Sequence, residues 1–217
     1  MPKHPVCIKT VVTADTAELI ALSYGVRTEN VLTGFKYIGE KIGKMQKRGE
    51  SNNFVFGFEE SCGYLTGSYV RDKDGVLAAL LISEMVAFYK GNGTGVYEHL
   101  QSLYEKYGYE KNALCSYEFP GREGGEKIKE IMALIRKGTD NVGGLRVLTV
   151  KDYAEGIDGL PPTNAVKLFL ERGCTLTVRP SGTEPKIKIY LSAMAQTPVE
   201  AEERASRIKE YIAEIFC

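Results

Sequence analysis

The chain has 217 residues and a formal net charge of zero, 28 basic against 28 acidic side chains. That length allows one or two domains, and 43% hydrophobic residues can build a core. Balanced charge gives no support to a nucleic-acid or anionic-membrane partner, and no apolar run approaches the roughly 20 residues of a membrane span.

Residues 6–12 read as a buried strand. Thr13 follows as a candidate N-cap, and Ala17, Ile20, Ala21 and Tyr24 recur at helical spacing until Gly25. Phe35, Ile38, Ile42 and Met45 mark a second amphipathic helix. Polar residues 47–53 form a turn. Phe54, Phe56 and Phe58 alternate as a strand does and deliver Glu59-Glu60-Ser61 to a loop. Residues 76–90 form an apolar helix closed by Gly91, and 96–107 a further one carrying Leu100, Leu103 and Tyr107. Strands alternating with helices predict a layered α/β domain.

Pro120, Gly121, Gly124 and Gly125 cluster, which puts a boundary in the region 108–125. We divide the chain at residues 1–118 and 119–217. Beyond the boundary, Ile128, Ile131, Met132 and Ile135 share a helix face. Strands follow at 145–150, 165–171, 174–179 and 186–192. In the last of these, Ile187, Ile189 and Leu191 fall on one face and Lys186, Lys188 and Tyr190 on the other. Thr197-Pro198-Val199-Glu200 is a capping box with Pro at the first helical position, and it opens a helix that buries Ala201, Ala205, Ile208, Ile212 and Ile215. The second domain is therefore a small α+β unit, an antiparallel sheet with helices on one face.

Cys7, Cys62, Cys115, Cys174 and Cys217 are odd in number and widely spaced, with no Cys-x-x-Cys. Free, buried thiols are expected, without a disulfide framework or a zinc site. No secretory apolar segment precedes the first strand, so a cytoplasmic location is expected.

Arg179-Pro180-Ser181-Gly182-Thr183-Glu184-Pro185-Lys186 lies between two strands. Arginine presents a planar fork that matches phosphate oxygens two at a time. Ser181 and Thr183 add hydroxyl donors, and Gly182 lets backbone N–H groups approach an anion. This inventory suits a phosphate. Pro180 biases Arg179 toward an extended backbone.

This loop resembles the phosphate-binding loop of the α-D-phosphohexomutase family, the phosphoglucomutases and phosphomannomutases. Gly57-Phe58-Glu59-Glu60-Ser61-Cys62-Gly63-Tyr64 resembles the family's sugar-binding loop, and Thr33-Gly34-Phe35-Lys36 its glucose-side specificity segment. The three motifs stand in the family's order over nearly the whole chain. The resemblance implies domain 3 of that family, truncated at its N-terminus, followed by domain 4. It assigns Glu59 and Ser61 to hexose hydroxyls. That fits a carboxylate that accepts from vicinal hydroxyls and a serine that donates and accepts. It places Thr33, Gly34 and Phe35 against the sugar from the other side, although Phe35 also falls on the apolar stripe with Ile38. Lys188 matches a basic position that supports the phosphate, or it is a solvent-facing strand lysine.

Arg71-Asp72-Lys73-Asp74-Gly75 precedes the apolar helix. Capping and the helix dipole account for Asp72 and Asp74. The resemblance brings Lys73 to the reacting phosphate as a candidate catalytic group.

The family's reaction interconverts hexose 1-phosphate and hexose 6-phosphate through a phosphoserine and a 1,6-bisphosphate, with Mg²⁺. Neither a Thr-x-Ser-His-Asn-Pro loop nor an Asp-x-Asp-x-Asp loop occurs among these residues. The expected partners are a hexose phosphate and the family's N-terminal domains 1 and 2, with no metal ligands here and no turnover from the chain by itself. Glu-Glu-Ser favours glucose and leaves mannose open. A non-catalytic sugar-phosphate module is the alternative.

Overall fold

A computed structural model describes residues 1–216 and resolves two compact units, Met1–Tyr107 and Gly108 onward. Cys217 lies outside the described residues.

In the first unit, β1 (Val6–Thr10) lies between β2 (Arg27–Val31) and β3 (Phe54–Glu59), all parallel, and β4 (Gly63–Leu65) joins antiparallel to β3. Helix α1 (Thr16–Ser23) links β1 to β2, and α2 (Phe35–Lys47) links β2 to β3. Phe35, Ile38, Ile42 and Met45 are all buried, packed with Val6, Ile8, Val31 and Phe54, as the helical spacing predicts. The layered α/β class stands.

The strand of alternating phenylalanines differs from expectation. The register slips so that Val6 pairs with Phe54 and Cys7 with Phe56. A bulge at Val55 sends Phe54, Gly57 and Glu59 to the core side, while Phe56 stacks on Phe58 and Tyr64. Thr13 is not the N-cap of α1. Asp15 holds that position without a side-chain cap bond, because the Thr13 hydroxyl is engaged with Thr10 and Glu60. Helix α3 (Gly75–Gly91) is apolar as predicted, yet Val76, Leu80, Ile82 and Phe88 are all more than half exposed. Helix α4 (Val96–Tyr107) ends the unit.

The second unit is one antiparallel sheet in the order β5-β10-β9-β8-β7-β6. Its strands are β5 (Tyr109–Glu118), β6 (Asn141–Val142), β7 (Leu145–Asp152), β8 (Val166–Leu170), β9 (Thr175–Pro180) and β10 (Lys186–Ala195). Strand β5 pairs with β10 over its whole length. Residues 109–118 therefore belong to the second unit, whereas the sequence division at 118/119 left them with the first. Helices α5 (Gly121–Lys137) and α6 (Pro198–Phe216) supply Ile131, Met132, Ala205, Ile208 and Ile212 to a core with Val178, Ile187, Ile189 and Leu191. The Thr197 hydroxyl accepts from the Glu200 N–H at 3.3 Å, as the capping box predicts. Thr197→Ala is expected to cost about 1 kcal/mol, read as a lower urea midpoint with unchanged slope.

Cys7 and Cys174 are buried, but Cys115 is half-buried and Cys62 is exposed. The expectation of uniformly buried thiols fails at Cys62 because it stands in the turn after β3, with φ of 60°.

Candidate functional site

Strand β1 feeds β2 on one side, and the chain then crosses to β3 on the other. The carboxyl ends of β1 and β3 thus flank a topological switch point, where open α/β sheets bind ligands. Glu59 ends β3 there. It is only 6% exposed, so it is a buried strand-end residue rather than a solvated loop carboxylate.

The Lys73 ammonium stands 3.8 Å from Glu59 Oε1, 3.4 Å from Asp72 Oδ1 and 5.7 Å from the centre of the Phe35 ring. A Cβ on Gly63 would meet Glu59 Cγ at 2.7 Å and Phe35 Cδ2 at 3.0 Å, so only glycine lets the turn close over the carboxylate. Of the two roles open to Phe35, the core is the one it fills, at 3% exposed. Gly34 takes the N-cap position of α2 with φ of 116°, and Thr33 before it is half-buried. Ser61 is exposed in the turn.

The segment before α3 behaves as capping predicts. Asp74 accepts from the Leu77 N–H at 3.0 Å, and the Tyr69 hydroxyl donates to its other oxygen, which holds its carboxyl below the usual range. Asp72 accepts from the Lys73 N–H at 2.8 Å. The described residues bring together no group of three or more His, Cys, Asp or Glu.

Lys9 and Thr10 escaped the sequence reading, and so did the bonds that join them to Thr13 and Glu60. Lys9 is fully buried, with its ammonium 2.9 Å from the Thr13 carbonyl, 2.9 Å from Asp15 Oδ1 and 3.1 Å from Glu18 Oε1. Buried Thr10 and Thr13 donate to one Glu60 oxygen, at 3.0 and 3.3 Å. The signal was a lysine inside an otherwise apolar strand, since buried cations require fixed partners.

In the second unit, residues 181–185 form the turn between β9 and β10. The Ser181 N–H donates to the Lys186 carbonyl at 2.8 Å, closing the turn, and Pro185 accepts from the Phe119 N–H. Glu184 pairs with Lys186 at 2.8 Å, which holds the Glu184 carboxyl low. Gly182 and Thr183 are exposed, and a Cβ on Gly182 would meet open space.

Arg179 and Lys188 are directly opposite partners in the β9–β10 ladder, and Ser116 of β5 faces Lys188 from the other side. Two cations side by side on one face repel unless an acid or an anion lies between them. Among the described residues neither has a carboxylate within ion-pair distance, while Glu184 is taken by Lys186. The hairpin therefore concentrates positive charge beneath a turn that carries two hydroxyls, with Glu184 as the nearby carboxylate. No described helix is long and apolar enough to cross a membrane.

Two family models match the chain. Residues 1–107 match "Phosphoglucomutase/phosphomannomutase, alpha/beta/alpha domain III", and residues 122–215 match "Phosphoglucomutase/phosphomannomutase, C-terminal domain". A phosphoglucomutase of Staphylococcus haemolyticus is 32% identical over 204 residues, and one of Staphylococcus saprophyticus 37% over 197. These alignments cover 88% and 85% of the chain but only 36% and 35% of the relatives' own length. Among solved structures, the exocytosis-sensitive phosphoprotein pp63/parafusin of Paramecium, a phosphoglucomutase in its open form, aligns with a TM-score of 0.69 at 22% identity. It covers 96% of this chain and 37% of its own. A phosphoglucomutase/phosphomannomutase family protein of Burkholderia thailandensis aligns with a TM-score of 0.58 at 14% identity, over 98% of this chain and 37% of its own. At those identities the structural matches show the fold.

Proposed function

This chain belongs to the phosphoglucomutase/phosphomannomutase family, as its domain III and C-terminal domain, and on that premise we propose that it recognises hexose phosphates. Arg179 and Lys188, opposed in one ladder without a carboxylate, are the observation that carries the proposal. A phosphate dianion between them turns a repulsion into two charge-assisted contacts, and Ser181, Gly182 and Thr183 add donors at the turn.

In the first unit, Glu59 accepts from sugar hydroxyls, and Ser61 donates and accepts beside it. Lys73, 3.8 Å from Glu59 Oε1, offers its charge to a phosphate. Thr33 and Gly34, between β2 and α2, are read as the contacts to the sugar from its other side. The curated relatives named above are phosphoglucomutases, which favours glucose over mannose. The whole reaction, between hexose 1-phosphate and hexose 6-phosphate through a 1,6-bisphosphate, draws its phosphoserine and Mg²⁺ from domains 1 and 2 of the family's architecture. This chain's share is binding and positioning, which is much of phosphoryl-transfer catalysis.

Calorimetry with glucose 6-phosphate and with inorganic phosphate tests the reading. Both should bind, the sugar phosphate more tightly. Glu59→Gln keeps an acceptor but loses the charge, so glucose 6-phosphate should weaken about tenfold, ~1.4 kcal/mol, with inorganic phosphate unchanged. Equal affinity of wild type and variant for glucose 6-phosphate removes Glu59 from the site.

A further inference from the structure

The two adjacent glutamates at the end of β3 part company. Glu59 turns to Lys73 and Gly63, while Glu60 is anchored on the Thr10 and Thr13 hydroxyls, whose oxygens stand 2.8 Å apart and share their two hydrogens among the three oxygens of the cluster. We propose that Glu60 is a positioning residue, a latch that ties the Glu59–Gly63 turn to the loop between β1 and α1 and thereby aims Glu59 and Ser61. This rests on the sugar-binding role proposed for that turn.

The anchor is built rather than incidental. Thr10 is fully buried and Thr13 is 5% exposed, so neither hydroxyl can swing to bulk water when Glu60 leaves. A buried hydroxyl without a partner is unfavourable, so the pair favours the latched state. Thr13 is fixed in turn by Lys9, which donates to its carbonyl and holds Asp15 and Glu18 at the start of α1. Thr13 also donates its N–H to the Thr10 carbonyl at 3.1 Å. The path from the buried ammonium to the sugar turn is therefore continuous: Lys9, Thr13, Glu60, then Glu59 on one side and Ser61 on the other. The remainder of the turn has little to hold it. Ser61 and Cys62 are exposed, and Cys62 sits in the left-handed region, which a non-glycine residue occupies at a cost.

Cys62 also reports on the latch without any ligand. Burial pushes the Cys7 thiol up to about 11 and raises that of Cys174, so both stay protonated and slow toward thiol reagents near neutral pH. Mapped by peptide, alkylation reads Cys62 separately from the other thiols. Glu60→Ala should raise its rate roughly threefold or more by letting the turn open, and the double variant Thr10→Val/Thr13→Val should do the same. Glu60→Gln retains an oxygen acceptor for both hydroxyls and should restore most of the protection. In calorimetry, Glu60→Ala should weaken glucose 6-phosphate about tenfold and leave inorganic phosphate unchanged. Adding Glu60→Ala to the threonine pair should bring no further loss, because the three groups act as one unit.

If wild type does not bind glucose 6-phosphate, the sugar-binding reading fails, while Cys62 still decides whether the latch exists. If wild type binds and Glu60→Ala matches it in both affinity and Cys62 rate, the latch is overturned. Equal loss for glucose 6-phosphate and inorganic phosphate, together with a lowered melting temperature, also overturns it, since general destabilisation then accounts for the effect.

Discussion

Arg179→Ala is expected to weaken phosphate binding by at least 30-fold, about 2 kcal/mol or more, while the melting temperature holds or rises slightly. Arg179 lies at the end of β9 with Lys188 directly opposite. Removing one of two facing cations relieves repulsion in the free protein and removes the bidentate donor from the bound one. Arg179→Lys keeps the charge without the fork, so its affinity should fall between wild type and alanine. An arginine that merely braced the hairpin would behave in the opposite way, with alanine lowering the melting temperature and leaving phosphate affinity intact. Calorimetry with inorganic phosphate and glucose 6-phosphate, beside melts of both variants, separates the two. Unchanged affinity in Arg179→Ala sinks the assignment of this loop.

Gly39→Ala should destabilise the first unit by about 2–3 kcal/mol, although alanine is the better helix former. Gly39 is buried in the middle of α2. An added Cβ would stand 2.2 Å from the Arg71 carbonyl oxygen and 3.1 Å from its carbon. Backbone cannot rotate aside as a side chain can, so helix and loop must separate. The loop is tied down where the clash would fall. The Arg71 guanidinium donates to the Val70 carbonyl at 3.1 Å and to the Gln46 side chain of α2. Lys73 lies two residues further along, so the shift should also carry its ammonium away from Glu59. Gly43→Ala on the same helix is the control. Its Cβ would meet nothing within 4 Å, and it should stabilise by up to about 1 kcal/mol. Urea titration of both variants checks the pair, and a Gly39→Ala variant as stable as Gly43→Ala contradicts the close approach.

Local periodicity made much of this architecture readable. The stripe Phe35, Ile38, Ile42, Met45 and the alternation Ile187, Ile189, Leu191 are set by neighbours in sequence, and all seven residues are buried. The capping box is likewise local. What depended on distant pairing was not legible. Strand β5 pairs with β10 at the sheet's edge, and the face it turns to the core, Ala113, Cys115 and Tyr117, is only half-buried and mixed in character, so residues 109–118 did not stand out beside the glycines that follow. Strand β2, Arg-Thr-Glu-Asn-Val, is polar and gave no strand signal. The bulge at Val55 moved Phe54 to the opposite side from Phe56, which no regular period can announce. The site divides in the same way. The motif residues were visible in the sequence. The opposition of Arg179 and Lys188 needed the hairpin register, and the Lys9–Thr13–Glu60 path needed the parallel placement of β1 beside β3.

The pairing of β5 with β10 has a consequence for how the second unit is made. The first strand of that unit waits for the last one, since Glu118 meets Lys186 only when the intervening chain has been synthesised. Strands β7, β8, β9 and β10 pair with near neighbours in sequence, and the β9–β10 hairpin needs only a short loop to close. Low loop-closure cost is expected to let that hairpin assemble early, whereas the β5 seam is a long-range closure and is expected to form later. Until it closes, β10 offers an open backbone edge between Lys186 and Ala195, the stretch of nascent chain most in need of protection from pairing with another copy.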